Sequence, residues 1–159
     1  MKKVAKFMML GTVLGGVALQ AVSASAESQV GTAKVTYNAN IIPPAPDEDS
    51  DFAVLIPSGY ALSDEISKVD GEVKMVDAND FSKDYAKTAK IDVKVASTNG
   101  FKFLNNHGEY KLVDDSDANV STFEMKAGST SKKVNAKLTK KADNNKADFD
   151  TLNFSYVIK

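Results

Sequence analysis

Alternation of apolar and polar residues dominates the chain from about residue 30 onward. It is clearest over 89–97, where Ile91, Val93 and Val95 alternate with lysine and aspartate, and over 151–158. A period of two is typical of a β-strand with one face on the core and the other in solvent. In the last strand the predicted core face carries Leu152, Phe154, Tyr156 and Ile158.

Shorter segments of the same kind follow one another with turn residues between them. The predicted strands are 32–42, 52–56, 72–76, 89–97, 101–104, 110–113, 120–125, 131–139 and 151–158. Thr98-Asn99-Gly100 is a turn sequence, because Asn-Gly accepts positive φ at little cost, and it predicts a hairpin over 89–104. Residues 80–90 favour a short helix or a loop, since Phe81 and Tyr85 are four apart. About eight or nine short strands predict an all-β, Ig-like antiparallel β-sandwich.

The strand predicted over 131–139 assigns its residues to two faces. Val134, Ala136 and Leu138 share the parity expected to face the core. The opposite parity, expected to face outward, consists of Lys133, Asn135 and Lys137.

The first 26 residues have the layout of a cleaved secretory signal. Three lysines, at positions 2, 3 and 6, precede an apolar run from Phe7 to Val22, and Ala24-Ser25-Ala26 closes it. The run is short for a membrane span, which needs about 20 predominantly apolar residues. We therefore expect cleavage after Ala26, a mature N-terminus at Glu27, and a secreted product without a membrane span.

Proline and acidic residues divide the mature chain near its start. Residues 27–42 are predicted to end in an apolar-faced strand, and 43–51 form a linker with three prolines and four carboxylates. Residues 52–159 form the body of the sandwich, and the length fits one domain together with 27–42. The N-terminal strand is expected to dock on its own domain, with docking on a neighbouring chain as the alternative.

Charge and residue usage exclude some partners. The chain has 20 basic residues, all of them lysine, against 21 acidic ones, and removing the three signal lysines leaves it mildly acidic. Arginine makes most of the bidentate contacts with phosphate and guanine, so an arginine-free acidic domain is a poor nucleic-acid binder. The chain has no cysteine, so its stability depends on its core and not on disulfides.

No catalytic constellation is assigned from the sequence. The single histidine, His107, is interpreted as a turn residue within Asn-Asn-His-Gly. Zinc sites and nucleophilic triads need further ligands or partners that the sequence does not group with it. Ser129 and Lys132 match S-x-x-K, but they precede a strand and lack the companion motifs of acylating enzymes.

Two carboxylate clusters, 47–51 and 114–117, are interpreted as solvated acidic loops, because neither has the spacing of a calcium loop. A lysine–asparagine isopeptide bond between Lys34 and Asn153 is not expected, because both fall on the polar parity of their strands. No metal, cofactor or catalytic residue is therefore predicted.

The order of strands and turns resembles the secreted WxL-type surface proteins of lactic-acid bacteria and enterococci. The resemblance covers most of 30–159, and it rests on the strand Thr32–Tyr37, the Pro/Asp linker, Ile56-Pro57, the segment 91–101 and the terminal Asp150–Tyr156. The chain has no tryptophan, so the Trp-x-Leu motifs of that family are absent. The resemblance implies a secreted β-sandwich held non-covalently at the Gram-positive cell wall, and it assigns no site residues.

These features predict a non-catalytic structural, adhesive or binding protein of the cell surface or cell wall. Its expected partners are a cell-wall polymer or other exported surface proteins. Two alternatives stay open. One is a secreted hydrolase that uses paired carboxylates, and the other is a pilin-like subunit that exchanges a strand with its neighbour.

Overall fold

The computed structural model describes residues 40–42, 51–144 and 146–159. Within these residues the chain forms eleven β-strands and no helix. The described residues therefore contain no helix that is long and apolar enough to cross a membrane. The strands are β1 Ile41–Ile42, β2 Phe52–Leu55, β3 Lys68–Val69, β4 Glu72–Asp77, β5 Asp80–Asp84, β6 Lys90–Ser97, β7 Glu109–Val113, β8 Thr122–Lys126, β9 Ser131–Lys133, β10 Asn135–Lys140 and β11 Leu152–Ile158.

The paired strands are antiparallel and form three small sheets. In sheet A the order is β1-β2-β4-β5, with β9 also paired to β4. Sheet B has the order β3-β10-β7, and sheet C has the order β11-β6-β8. This is the all-β antiparallel class that the sequence predicts, with sheets packed over a shared core as in a β-sandwich.

One hydrophobic core joins the three sheets. Phe52 and Met75 come from sheet A, Leu112 from sheet B, and Ile91 and Met125 from sheet C, and all five are buried. The alternation in the sequence explains this arrangement, because every second side chain of a strand points to the same face. Burial of these faces supplies the main stabilisation of the fold.

The two segments with the clearest alternation are strands with the predicted core faces. On β6, Ile91, Val93 and Val95 are at most 2% exposed. On β11 the four predicted residues are half-buried and pack against the core from its margin. The prediction of which side chains of the last strand face the core is therefore confirmed, but the core encloses these side chains only partly.

The predicted strand 131–139 is two strands that belong to different sheets. β9 pairs with β4 in sheet A, β10 pairs with β3 and β7 in sheet B, and Val134 stands between them. The facing segment makes the same change at Gly71, between β3 and β4. The Val134 N–H donates to the Gly71 carbonyl at 2.9 Å, so backbone pairing continues through the bend. Strands that change sheets at a bend form the corners of such structures.

The predicted hairpin 89–104 is wrong. β6 pairs with β8 and β11, and the chain after the turn does not return along β6. Lys102 instead forms a bridge with Glu109 at the start of β7. The redirection is local, because Phe101 has a φ of 64° and its N–H donates to the Ser97 hydroxyl at 2.6 Å.

Two strands lack the alternating apolar pattern. β5 occupies Asp80–Asp84, where a short helix or a loop is predicted, and most of its residues are exposed. It is a strand because its backbone pairs with the end of β4. β3 has only two residues and is held by β10. Backbone pairing with an existing strand, which the sequence does not encode locally, decides both cases.

Little of the N-terminal region lies within the described residues. Ile41 and Ile42 pair with Leu55 and Val54 of their own chain. The predicted signal segment, residues 27–39 of the N-terminal strand, Lys34, and 43–50 of the linker lie outside the described residues. Asn153, the other residue of the rejected isopeptide bond, is exposed on β11.

Candidate functional site

A cleft of about 500 Å³ lies where three loops meet at one end of the sheets. The loops are 60–65, 103–108 and the described residues 142–144 and 146–148, and Leu138 of β10 also lines the cleft. Connecting loops of a rigid β scaffold are a usual place for binding residues. The cleft is the candidate functional site, and we call it the loop-end cleft.

Asp148 ties two of the loops together. Its carboxylate accepts hydrogen bonds from the backbone N–H of Asn105 at 2.6 Å and of Asn106 at 3.2 Å. It also accepts the Asn105 side-chain amide at 3.0 Å. The Asn105 N–H is the main cause that lowers the pKa of Asp148 below its usual value, because these donors stabilise the ionised form. Asp148 is therefore a structural carboxylate that stays charged.

Asn106 forms the buried base of the cleft. Its side-chain oxygen accepts the Gly108 N–H at 3.0 Å, and its amide donates to the Lys146 carbonyl at 3.2 Å. Its own carbonyl accepts the Asp143 N–H at 2.7 Å. A buried amide with each group satisfied fixes the backbone around it, so the loops at the base of the cleft are held in one arrangement.

Two aromatic rings line the cleft. The Tyr60 hydroxyl donates to the Val134 carbonyl, and burial raises the pKa of Tyr60 well above its usual value. The Phe103 ring centroid lies 5.4 Å from that of Tyr110. Gly108 leaves room for Phe103, because a Cβ at this glycine would lie 3.1 Å from the ring. The aromatic part of the lining is thus anchored to the core.

Polar and apolar groups surround these rings. Asp64 and Glu65 are exposed in the first loop, and Asp64 forms an ion pair with Lys141 at 3.7 Å. Exposed apolar side chains stand on or beside the same loops, with Leu104 63% and Phe149 77% exposed. Aromatic faces beside amides and carboxylates can bind a ligand that has both apolar faces and hydroxyl or amide groups.

His107 lies in the second loop but outside the cleft lining. It has a φ of 56°, its side chain is exposed, and its Nδ1 lies 3.0 Å from an Asp143 carboxylate oxygen. The prediction of a turn residue is confirmed, since a left-handed φ at a non-glycine residue is typical of a tight turn.

The two residues that match S-x-x-K have different surroundings in the structure. Ser129 belongs to the tight turn after β8, where its backbone exchanges hydrogen bonds with Lys126. The Lys132 ammonium faces Asp114 at 3.7 Å. Ser129 and Lys132 therefore have separate partners.

The second carboxylate cluster is a structured loop. Asp114 accepts the backbone N–H groups of Ser116 and Ala118, which makes a compact turn. Asp115 and Asp117 reach to sheet B, where each accepts hydrogen bonds. No group of three or more metal-ligating side chains that could hold a metal occurs within the described residues. Residues 115–119 are exposed, so the cluster is the solvated acidic loop that the sequence predicts, with its carboxylates held by hydrogen bonds.

None of the residues that line the cleft is predicted as a site residue from the sequence. From the sequence, Asn-Asn-His-Gly is predicted only as a turn, and it forms part of the second loop. The cleft exists because residues about 40 positions apart meet in the fold, as in the Asn105–Asp148 contact. No local signal in the sequence reports such a meeting.

Comparison with known protein families, curated proteins and solved structures finds no match to this chain.

Proposed function

We propose that the protein is a non-catalytic binding module of the bacterial surface, which holds a cell-wall polymer or an exported protein in the loop-end cleft. The signal-like segment 1–26 and the resemblance to WxL-type surface proteins support an exported location. The antiparallel β scaffold with a loop-lined cleft supports binding as the activity.

The observation that carries the proposal is the rigidity of the cleft. Asp148 and Asn106 fix the second loop to the third through five hydrogen bonds of 2.6–3.2 Å, four of which involve a backbone group. A site held in one arrangement before binding loses less conformational entropy when its ligand arrives. The fixed lining of aromatic, amide and carboxylate groups suits a sugar-containing polymer chain.

Binding explains the cleft better than hydrolysis does. Carboxylate chemistry needs one acid with a raised pKa beside a second carboxylate. Asp148 has a lowered pKa and is occupied by loop N–H groups, while Asp64 and Glu65 are exposed. Strand exchange is also less favoured, because Ile41 and Ile42 pair with β2 of their own chain.

The proposal is tested by co-sedimentation of residues 27–159 with isolated Gram-positive cell walls. Ala147 lines the cleft and is exposed, so Ala147→Trp should fill it with a large ring. We expect the variant to bind walls at least about tenfold more weakly, which corresponds to about 1.4 kcal/mol.

Ala127→Trp is the matched control, because Ala127 is exposed in the turn between β8 and β9 and does not line the cleft. It should bind as the wild type does. Wild-type protein that stays in the supernatant, or equal binding by both tryptophan variants, would refute the proposal.

A further inference from the structure

The outer face of sheet B carries a row of three lysines. The register pairs Lys137 of β10 with Lys68 of β3 on one side and with Lys111 of β7 on the other. Directly opposite residues of antiparallel strands point to the same face, and neighbouring strands lie about 4.8 Å apart. The three lysine side chains therefore leave the sheet along one line, on the side opposite to the buried Ala136 and Leu112.

The strap 114–119 folds over one end of this outer face. The Asp115 carboxylate accepts the Asn135 amide at 3.0 Å, and Asn135 and Val113 beneath the strap are fully buried. Asp117 accepts the Lys68 and Lys137 ammonium groups at 3.2 and 2.5 Å. These two contacts, with that from Lys137 the larger, lower the pKa of Asp117, so its carboxylate is charged beside the row.

Asp117 pairs with only two of the three lysines. Within the part of the chain that the structure describes, Lys111 forms no ion pair, and the nearby Glu109 pairs with Lys102 at 3.2 Å. Like charges directly opposite each other destabilise a sheet. The row thus includes one ammonium group, that of Lys111, whose charge no carboxylate contact offsets in the described part of the chain.

We propose that the row Lys68–Lys137–Lys111 binds the phosphate groups of a linear anionic polymer. The first phosphate lies against Lys111, and the next competes with the Asp117 carboxylate for Lys137 and Lys68. Lysines borne on neighbouring strands, which lie about 4.8 Å apart, fit a flexible chain with regularly repeated anions better than a single compact ligand. Lysine provides point charges without a fixed fork, so the contact selects for charge density and not for one anion geometry.

This surface is separate from the loop-end cleft, because none of the three lysines lines the cleft. The two proposals can therefore fail independently. Ala147→Trp should leave binding at the lysine row unchanged, and loss of Lys111 should leave binding to walls stripped of phosphate polymers unchanged.

The test is a titration of residues 27–159 with long-chain inorganic polyphosphate at low ionic strength. We expect Lys111→Gln to weaken binding about fivefold, since one lysine near a surface contributes about that factor. Asp117→Asn should strengthen binding, because it removes the competing carboxylate. Raising the salt concentration should weaken wild-type binding more steeply than binding by Lys111→Gln.

Lys94→Gln is the matched control, because Lys94 is exposed on the outer face of sheet C and its loss changes the net charge equally. It should bind polyphosphate as the wild type does. Equal weakening by both glutamine variants, or no wild-type binding at low salt, would overturn the proposal. Binding to anionic lipid vesicles that depends on Lys111, without binding to polyphosphate, would also overturn it. Lys111→Gln leaves the strap contacts intact, so its result stands even where Asp117→Asn loosens the strap.

Discussion

At the scale of single residues, Asn135 shows which property the alternating pattern predicts and which one depends on the tertiary structure. The pattern predicts the direction of its side chain, and the tertiary structure determines its burial. Its parity places it on the outward face of β10, and the sequence predicts that it is solvated. It is nevertheless fully buried, since the strap 114–119 covers that part of the face. Its side-chain oxygen accepts the Gly71 N–H at 3.1 Å, and its amide donates to Asp115 at 3.0 Å. Alternation predicts the face correctly, but only the tertiary structure covers it.

Asn135→Ala should lower the free energy of unfolding by about 1–3 kcal/mol, because it leaves the half-buried Gly71 N–H without its acceptor. The measurement is equilibrium unfolding in urea, with the midpoint and slope compared with those of the wild type. Asn153→Ala on β11 is the control, since that asparagine is exposed, and it should change stability by less than about 0.5 kcal/mol. A loss below that limit for Asn135→Ala would mean that the contact with Gly71 is not formed in solution.

The burial of aromatic side chains differs between sheet A, which carries Phe52, and sheet C, which carries Phe154. Phe52 on β2 is 1% exposed, and its ring centroid lies 5.5 Å from that of Tyr156. Phe154 lies on the margin of the same core and is only half-buried. Loss of a ring costs more where its surroundings enclose it fully, because a cavity remains.

Phe52→Ala should therefore cost about 3–5 kcal/mol of unfolding free energy. Phe154→Ala should cost about 1–3 kcal/mol, because less apolar surface is removed from contact. Both values come from the same urea titrations. An equal cost for the two variants would contradict the partial enclosure of β11, and a negligible cost for Phe154→Ala would contradict its inward parity.

At the scale of the elements, prediction succeeds where the strand itself carries the signal. β6 and β11 have both period two and apolar residues, so their positions and faces follow from the sequence. β5 has neither, and it is a strand only because β4 offers it a pairing edge. The hairpin after β6 fails for another reason. The Ser97 hydroxyl donates to the Asp150 carboxylate at 2.5 Å, although the two residues are 53 positions apart, and it accepts the Phe101 N–H. These two bonds direct the chain after the turn away from β6.

The corner between sheets A and B is an element that no propensity scale predicts. At Gly71 the chain passes so close to its neighbour that an added Cβ would lie 2.6 Å from the Val134 carbonyl and also overlap the Tyr60 hydroxyl. The absence of a side chain at this position is what permits the facing strands to change sheets together. Glycine in a strand region commonly marks such a close backbone approach.

Gly71→Ala should destabilise the protein by about 1–3 kcal/mol, because the backbone carbonyl cannot move aside as a flexible side chain would. Gly59→Ala is the matched control, since a Cβ there meets nothing within 4 Å. Thermal unfolding should show a lower midpoint for the first variant and an unchanged or higher one for the second. Similar midpoints for both variants would show that the corner is looser than the structure indicates.

At the scale of the whole molecule, ion pairs on the surface join strands that also pack together in the core. On the outer face of sheet C, the Glu124 carboxylate lies 2.8 Å from the Lys90 ammonium and 3.2 Å from that of Lys126. Lys159, after the last strand, lies 3.5 Å from the same carboxylate and 2.8 Å from Asp92. One carboxylate thus joins residues of β6 and β8 and the residue that follows β11. Such a network is worth more than an isolated surface pair, although salt screens it.

This network predicts how stability responds to acid. Hydrogen bonds from Lys90 first, and then from Lys126, lower the pKa of Glu124 from 4.5 to about 2. A carboxyl group whose pKa is lowered by folding stabilises the protein above its unfolded pKa, and the contribution is lost as pH falls through the folded value. The contribution of Glu124 should therefore be complete above pH 4.5 and disappear as the pH approaches about 2.

Glu124→Gln removes this contribution and leaves three ammonium groups without their shared anion. At about pH 7 the variant should have a lower Tm than the wild type, and the difference should close as the pH falls from 4.5 towards about 2. High salt at neutral pH should also reduce the difference, because the groups are exposed. Glu65→Gln, at an exposed carboxylate of the loop-end cleft, provides the control and should follow the wild type throughout. A difference in Tm that stays constant from neutral pH to about pH 2 would mean that the glutamine acts through packing and not through the lost charge.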